Sequence, residues 1–163
     1  MSKDPIRPTD DQARALARRL IHQARHAVLG SLDPDSGAPL VTRIALQADA
    51  DGTPLALLSG LSAHTRALMA DPRAGLMIGD DAALKGDPMT HARLSILALA
   101  RPAAPDPERR ARWLAQDAKA RVYVDLPDFG FWRIEPQSAL LNGGFGRAFR
   151  LSPQDLLAPP QGA

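Results

Sequence analysis

The sequence predicts an α+β fold in which an antiparallel barrel or sheet carries helices on its outside. Three observations carry this expectation. Six or seven apolar runs of strand length are joined mostly by short turns; helical spacing appears only at the start, in the middle and late in the chain; and strands do not alternate with crossover helices as a doubly wound parallel sheet requires. A length of 163 residues suits one domain, able to bury roughly two-thirds of the surface its unfolded chain exposes. Hydrophobic residues at 45% and charged residues at 23% place it with globular rather than disordered chains.

The elements come in this order. Residues 1–8 carry two prolines and three charges without periodicity and read as a flexible arm. Thr9-Asp10-Asp11-Gln12 matches a capping box, with Thr9 as cap. Ala13, Leu16, Ala17, Leu20, Ile21 and Ala24 then recur at helical spacing, and Arg14, Arg18, Arg19 and Arg25 lie largely off that stripe. Strands are expected at 27–32, 40–47 and 54–58, with the Asp51-Gly52 hairpin signal making the last connection antiparallel. A short helix over 59–70 stops at Asp71-Pro72, because proline disfavours helical geometry at the residue before it. Strands at 73–78 and 92–100 flank a loop rich in Gly, Asp and Pro. Asp106 caps a helix running to about Ala118. Two last strands, 129–135 and 138–145, are expected on either side of Pro136. The resulting division is a flexible arm at 1–8, one domain at 9–157 and a disordered tail at 158–163.

Composition excludes several functions. There is no cysteine, so disulfides, thiol catalysis, iron–sulfur clusters and Cys-ligated zinc are ruled out. The formal charge is only +2, and the arginines of the first helix read as its wet face, so neither nucleic acid nor a membrane is implied as a partner. The opening MSKDPIRPTDDQ has no apolar stretch that could serve as a signal peptide, and a cytoplasmic location is expected. His22 and His26 have ligand spacing but no third ligand, so no metal site is assigned. Asp33-Pro34-Asp35 and Asp49-Ala50-Asp51-Gly52 lack the glutamate of a calcium loop and read as turns. No Gly-x-Ser-x-Gly elbow supports a hydrolase.

The most specific local feature is 57–66, LLSGLSAHTR: an apolar strand, a small-residue turn and a helix start. Ser62 can cap the helix and the amides of the first turn point outward. Hydroxyls of Ser59 and Thr65 with cations from His64 and Arg66 complete an anion site, the alternative being a simple cap with solvated neighbours. Arg43 stands in an apolar strand and needs either a carboxylate or a phosphate, and Arg93 opens a later strand in a similar way. Phe129, Phe131, Trp132, Phe145 and Phe149 gather late in the chain, either as core and dimer packing or as a wall for a planar ring.

Over about residues 10–157 the order of these pieces resembles the pyridoxamine 5′-phosphate oxidase-like FMN-binding split barrels, in particular their haem-utilization branch. The residues concerned are 39–43 PLVTR, 58–65 LSGLSAHT, 71–73 DPR, 86–93 GDPMTHAR, 128–136 DFGFWRIEP and 143–147 GGFGR. The resemblance implies a six-stranded antiparallel split β-barrel with flanking helices that forms a homodimer around FMN. It implies cofactor contacts from Arg43, from Ser59, Ser62, His64 and Thr65 at the phosphate, and from Arg93, Trp132 and Arg147 toward the ring or substrate side. His64 takes the place of a lysine in the broader family, and no match appears to the residues that hold a pyridoxal ring. The resulting expectation is an FMN-dependent oxidoreductase acting with a small-molecule substrate or electron donor; the alternative is a non-catalytic flavin or haem carrier. Haem is expected to bind weakly or not at all and not to be degraded, because the longer haem-degrading relatives take a ligand from a carboxyl-terminal segment and only His91 here is uncommitted and near the site.

Overall fold

The structure is a computed structural model that describes residues 5–79, 85–144 and 146–157. Among these residues eight strands and four α-helices are arranged in chain order. Strand β1 (Ile6–Arg7) precedes helix α1 (Asp11–Gln23), then β2 (His26–Leu32), β3 (Pro39–Ala48) and β4 (Pro54–Ser59). Helix α2 (Ala63–Ala70), β5 (Arg73–Gly79), a 3-10 turn at Pro88–Thr90 and β6 (Arg93–Pro102) come next. Helix α3 (Pro107–Gln116), a second 3-10 segment (Ala118–Val122), β7 (Phe129–Asn142), β8 (Ala148–Leu151) and α4 (Pro153–Leu156) complete the order.

The sheet runs β1-β8-β7-β4-β3-β2-β5-β6, and a further ladder between β6 and β7 closes six of the strands into an antiparallel barrel. This is the split-barrel class. Leu29, Ile44, Leu46, Ala56, Leu58, Leu76, Ile78, Leu94, Ile96, Trp132, Ile134 and Leu141 alternate inward along their strands to form its interior. The apolar stripe of α1, Ala13, Ala17, Leu20 and Ile21, joins the same core. On the outer face of β4, Leu55 and Leu57 pack with Trp113, Ala120 and Val124 from α3 and the segment after it, the Trp113 ring lying edge-on to Phe131 at 5.5 Å. Strand β4 is thus covered on both faces, which is why it reads as an unbroken apolar run.

Three local expectations are corrected. Asp10, not Thr9, caps α1, accepting from the Ala13 amide at 2.8 Å, while the Thr9 hydroxyl donates to the Arg150 carbonyl. Pro136 does not divide the last strand: the ladder passes from Leu97–Ser138 to Ala98–Pro136, and Gln137 is accommodated as a bulge within one strand of 14 residues. Ile6–Arg7, within the segment expected as an arm, pairs in parallel with Ala148–Phe149. The tail expected at 158–163 lies outside the described residues. Among the described residues no helix is long and apolar enough to cross a membrane.

The turn residue Asp49 anchors α3 to the barrel. Its side chain is 3% exposed and accepts from Arg109 at 3.0 Å, Arg112 at 3.1 Å and Arg133 at 2.6 Å, while Arg133 also reaches Asp51 at 2.7 Å. Burial alone would raise the Asp49 pKa, but hydrogen bonds from Arg109, the Ala50 amide and Arg133 outweigh it and lower it. Asp51, likewise raised by burial and lowered more strongly by Arg133 and Thr53, falls to about 2. Carboxylates depressed in the folded state contribute stability that is complete above their ordinary pKa of 3.8 and is lost as they protonate. Stability is therefore expected to fall as pH drops from about 4 toward about 2. Asp49→Ala should cost about 3–5 kcal/mol in urea unfolding at neutral pH, since it strands three guanidinium groups around a buried position. A loss below about 1 kcal/mol would contradict this account.

Candidate functional site

Strand β4 ends at Ser59, and the chain must reverse before α2 begins. The reversal is held by Asp128: the Ser59 hydroxyl donates to Asp128 Oδ2 at 2.6 Å and the Gly60 amide donates to the Asp128 carbonyl. The Leu61 amide donates to Ser59 Oγ at 3.2 Å. A Cβ at Gly60 would stand 3.3 Å from the Asp128 carbonyl oxygen, so a side chain here would press on the clamp by a few tenths of an ångström. Ser62 then occupies the N-cap position of α2, yet its hydroxyl makes no capping hydrogen bond. The amides of Thr65 and Arg66 turn back to the Ser62 carbonyl, whereas those of Ala63 and His64 have no partner among the described residues.

This helix start opens onto a cleft of about 730 Å³ lined by Leu58, Ser62, Thr65, Asp128, Phe129 and Trp132, among others. Thr65 is only 5% exposed, and its Oγ1 is buried without a hydrogen-bond partner among the described residues. Such a group costs free energy unless something satisfies it. The free amides, the uncommitted Ser62 hydroxyl and the orphaned Thr65 hydroxyl make an acceptor-binding cradle at the positive end of a helix dipole. Burial lowers the His64 pKa, so its imidazole is neutral at pH 7 rather than the cation expected from sequence. Arg66 is engaged with Asp35 at 3.1 Å on the surface.

The structure brings Ser62, Thr65 and Trp132 to this cleft, with Ser59 and His64 in the same turn and helix start. Trp132 is almost fully buried and forms part of both the core and the cleft wall. Arg43 is exposed, points to the outer face of β3 and has no side-chain hydrogen bond or ion pair among the described residues. The β3–β4 ladder ends at Leu46–Ala56, three residues short of both Arg43 and Ser59, and Arg43 pairs with Val28 on the β2 side instead. Arg93 and Arg147 are not brought to it. Arg93 pairs with Asn142 at the far end of β7 and donates to the carbonyls of Met89 and His91. Arg147 is exposed in the β7–β8 turn. Phe145 lies outside the described residues. His91 is committed as well, through Nε2 and the Lys85 carbonyl at 2.9 Å. Sequence reasoning gave Asp128 no role of its own, although it opens the 128–136 motif directly before the Phe129-Gly130-Phe131-Trp132 run.

A six-stranded closed barrel with an acceptor-hungry helix start beside an aromatic cleft defines the class as the split barrel. The chain belongs to the pyridoxamine 5′-phosphate oxidase family, whose model, described as "Pyridoxamine 5'-phosphate oxidase", matches residues 13–142. It is 32% identical over 121 residues to "Non-canonical heme oxygenase HOZ, chloroplastic" of Arabidopsis thaliana, covering 69% of this chain and 34% of that protein. The chain thus spans about a third of the length of that curated relative. The structure of the protein Atu2129 (unknown function) from Agrobacterium tumefaciens str. C58 is 31% identical and has a TM-score of 0.78 over 94% of this chain and 65% of that one. The structure of a heme binding protein from Mycobacterium smegmatis is 27% identical, with a TM-score of 0.81 over 93% of this chain and 61% of that one.

Because its hydroxyl has no partner among the described residues, Thr65→Val is expected to leave the fold intact and to change stability by no more than about 1 kcal/mol, in the stabilising direction. Thermal and urea unfolding measure this. A clear destabilisation would mean that the hydroxyl already has a structural role.

Proposed function

We propose that this protein binds FMN, with the phosphate seated at the start of α2, and acts as an oxidoreductase on a small-molecule substrate or electron donor. The observation that carries the reading is the buried, unpartnered Thr65 hydroxyl beside the free amides of Ala63 and His64. Ser62 and Thr65 would donate to the phosphate, the neutral His64 ring could add one N–H, and Arg43 would approach from the outer side of the turn. Trp132 and Phe129 supply apolar walls suited to a flat ring. The flavin, when bound, supplies the hydride or electron chemistry. The residues of this chain hold and orient it and keep water from its apolar face. Arg93 and Arg147 enter this reading only as contacts delivered by a second subunit.

That second subunit is part of the proposal. Pairing aligns Arg43, Val28, Met77, Ser95, Leu140 and Arg150 in one row across the outer face of six strands. Val41 at 67% and Leu97 at 65% exposure flank a groove of about 560 Å³ whose floor includes Gly30 and Gly75. Exposed apolar surface of this kind is normally covered by a partner, and a homodimer formed through this face covers it. Light scattering is expected to give twice the chain mass, and Leu97→Asp should shift it toward the monomer. A monomeric wild-type chain at micromolar concentration with FMN bound would defeat the dimer.

Flavin titration tests the cofactor. FMN is expected to bind much more tightly than riboflavin, and Arg43→Ala to weaken FMN about tenfold, the value of one exposed charge-assisted hydrogen bond. Equal affinity for riboflavin and FMN would remove the phosphate assignment. A second reading, haem binding, is favoured by the names of the Arabidopsis and Mycobacterium relatives. His64, in the helix start at the cleft and without a side-chain hydrogen bond among the described residues, is the histidine to test as an iron ligand, because His91 is tied to Lys85. A stoichiometric Soret shift on adding haemin, lost in His64→Ala, would favour haem over the flavin reading.

A further inference from the structure

The Ser59–Asp128 pair has a feature that the phosphate cradle does not use. Asp128 is half-buried and fixed twice, through Oδ2 by the Ser59 hydroxyl and through its carbonyl by the Gly60 amide. Asp128 lines the same cleft as Ser62 and Thr65, and among the described residues its Oδ1 has no hydrogen-bond partner. A carboxylate held close to an anion site repels a ligand unless the ligand turns a hydrogen-bond donor toward it. The Ser59 hydroxyl cannot serve the ligand as donor, since its proton is already given to Asp128 and its oxygen receives the Leu61 amide.

We infer that Asp128 is a ligand-binding and specificity-determining residue whose Oδ1 accepts a hydrogen bond from a hydroxyl carried on the chain next to the ligand's phosphate. The class of ligand is then a phosphate monoester with a polyhydroxylated linker rather than a bare or hydroxyl-free phosphate. This inference rests on the flavin reading, in which the ribityl chain is that linker. The cleft separates the two tasks: Ser62, Thr65 and the α2 amides meet the phosphate, and Asp128 reads the linker attached to it. Ser59 is a positioning residue, acting through Asp128.

The test measures FMN affinity by flavin fluorescence quenching, and phenyl phosphate, a hydroxyl-free monoester, by its competition against FMN. It uses the full chain, Asp128→Asn, Asp128→Ala and Ser59→Ala. Asp128→Asn keeps the hydrogen bond from Ser59 and serves as the variant that preserves the turn; unfolding midpoints verify folding. Both Asp128 variants are expected to weaken FMN about tenfold or more, as loss of a charged acceptor does, and to leave phenyl phosphate unchanged or tighter once the repelling charge is gone. Ser59→Ala should weaken FMN less, with the same indifference toward phenyl phosphate. Wild-type FMN affinity in Asp128→Asn, or equal loss of FMN and phenyl phosphate, would overturn the inference while the flavin reading stands. Failure of the wild-type chain to bind FMN at all would overturn both.

Discussion

Strand β7 is the constraint on which the rest of the structure depends. Its residues 129–133 pair with β4, 132–142 with β6 and 139–142 with β8, so one strand closes the barrel and carries the edge extension as well. Closure leaves the barrel proper without a free edge, and the bulge at Gln137 supplies the bend that allows one strand to serve partners at both ends. The start of β7 also sets the functional geometry. Because Phe129 pairs with Ser59, Asp128 must lie beside the turn before α2, and Trp132 must face the interior near the helix start.

Charge is handled locally rather than through the net balance. The chain has two more basic than acidic residues, yet many arginines are spent holding elements together: Arg109, Arg112 and Arg133 converge on Asp49, and Arg110 meets Asp125. The arginines without acidic partners among the described residues stand apart from these networks. Arg43 and Arg150 mark the two sides of the apolar outer face, so the same surface that wants covering also carries unneutralised charge at its margins. An anion or a partner acid is better received there than at the Asp49 cluster, where every guanidinium is already engaged.

Much of the fold was legible because its signals are local. The alternation of β2, the uninterrupted run of β4, the Asp51-Gly52 turn and the Asp106 cap need only neighbouring residues to be read. The misreadings arose where distant residues decide. Thr9 lost its capping role because Arg150 offers its hydroxyl an acceptor 141 positions away. Pro136 looked like a break because proline lacks a ladder donor, but a bulge absorbs that defect without ending the strand. The turn before α2 and the N-cap position of Ser62 were recognisable from small and hydroxylated side chains alone. The neutral state of His64, the engagement of Arg66 by Asp35 and the clamp from Asp128 all depend on burial or on chain segments far away.

The first and last described elements interlock. Thr9 bonds the Arg150 carbonyl, Arg14 meets Asp155 at 2.7 Å, Arg18 donates to the Asp155 carbonyl, and β1 lies along β8. Helix α1 and the groups that fix it stand nearly 140 residues apart in sequence. Until those groups dock, its apolar stripe has only part of its final cover. Contacts of such sequence separation slow folding through the entropy of closing long loops. A chain of this topology should therefore acquire its native state late and cooperatively, with the closing segment acting as the latch that commits the whole barrel.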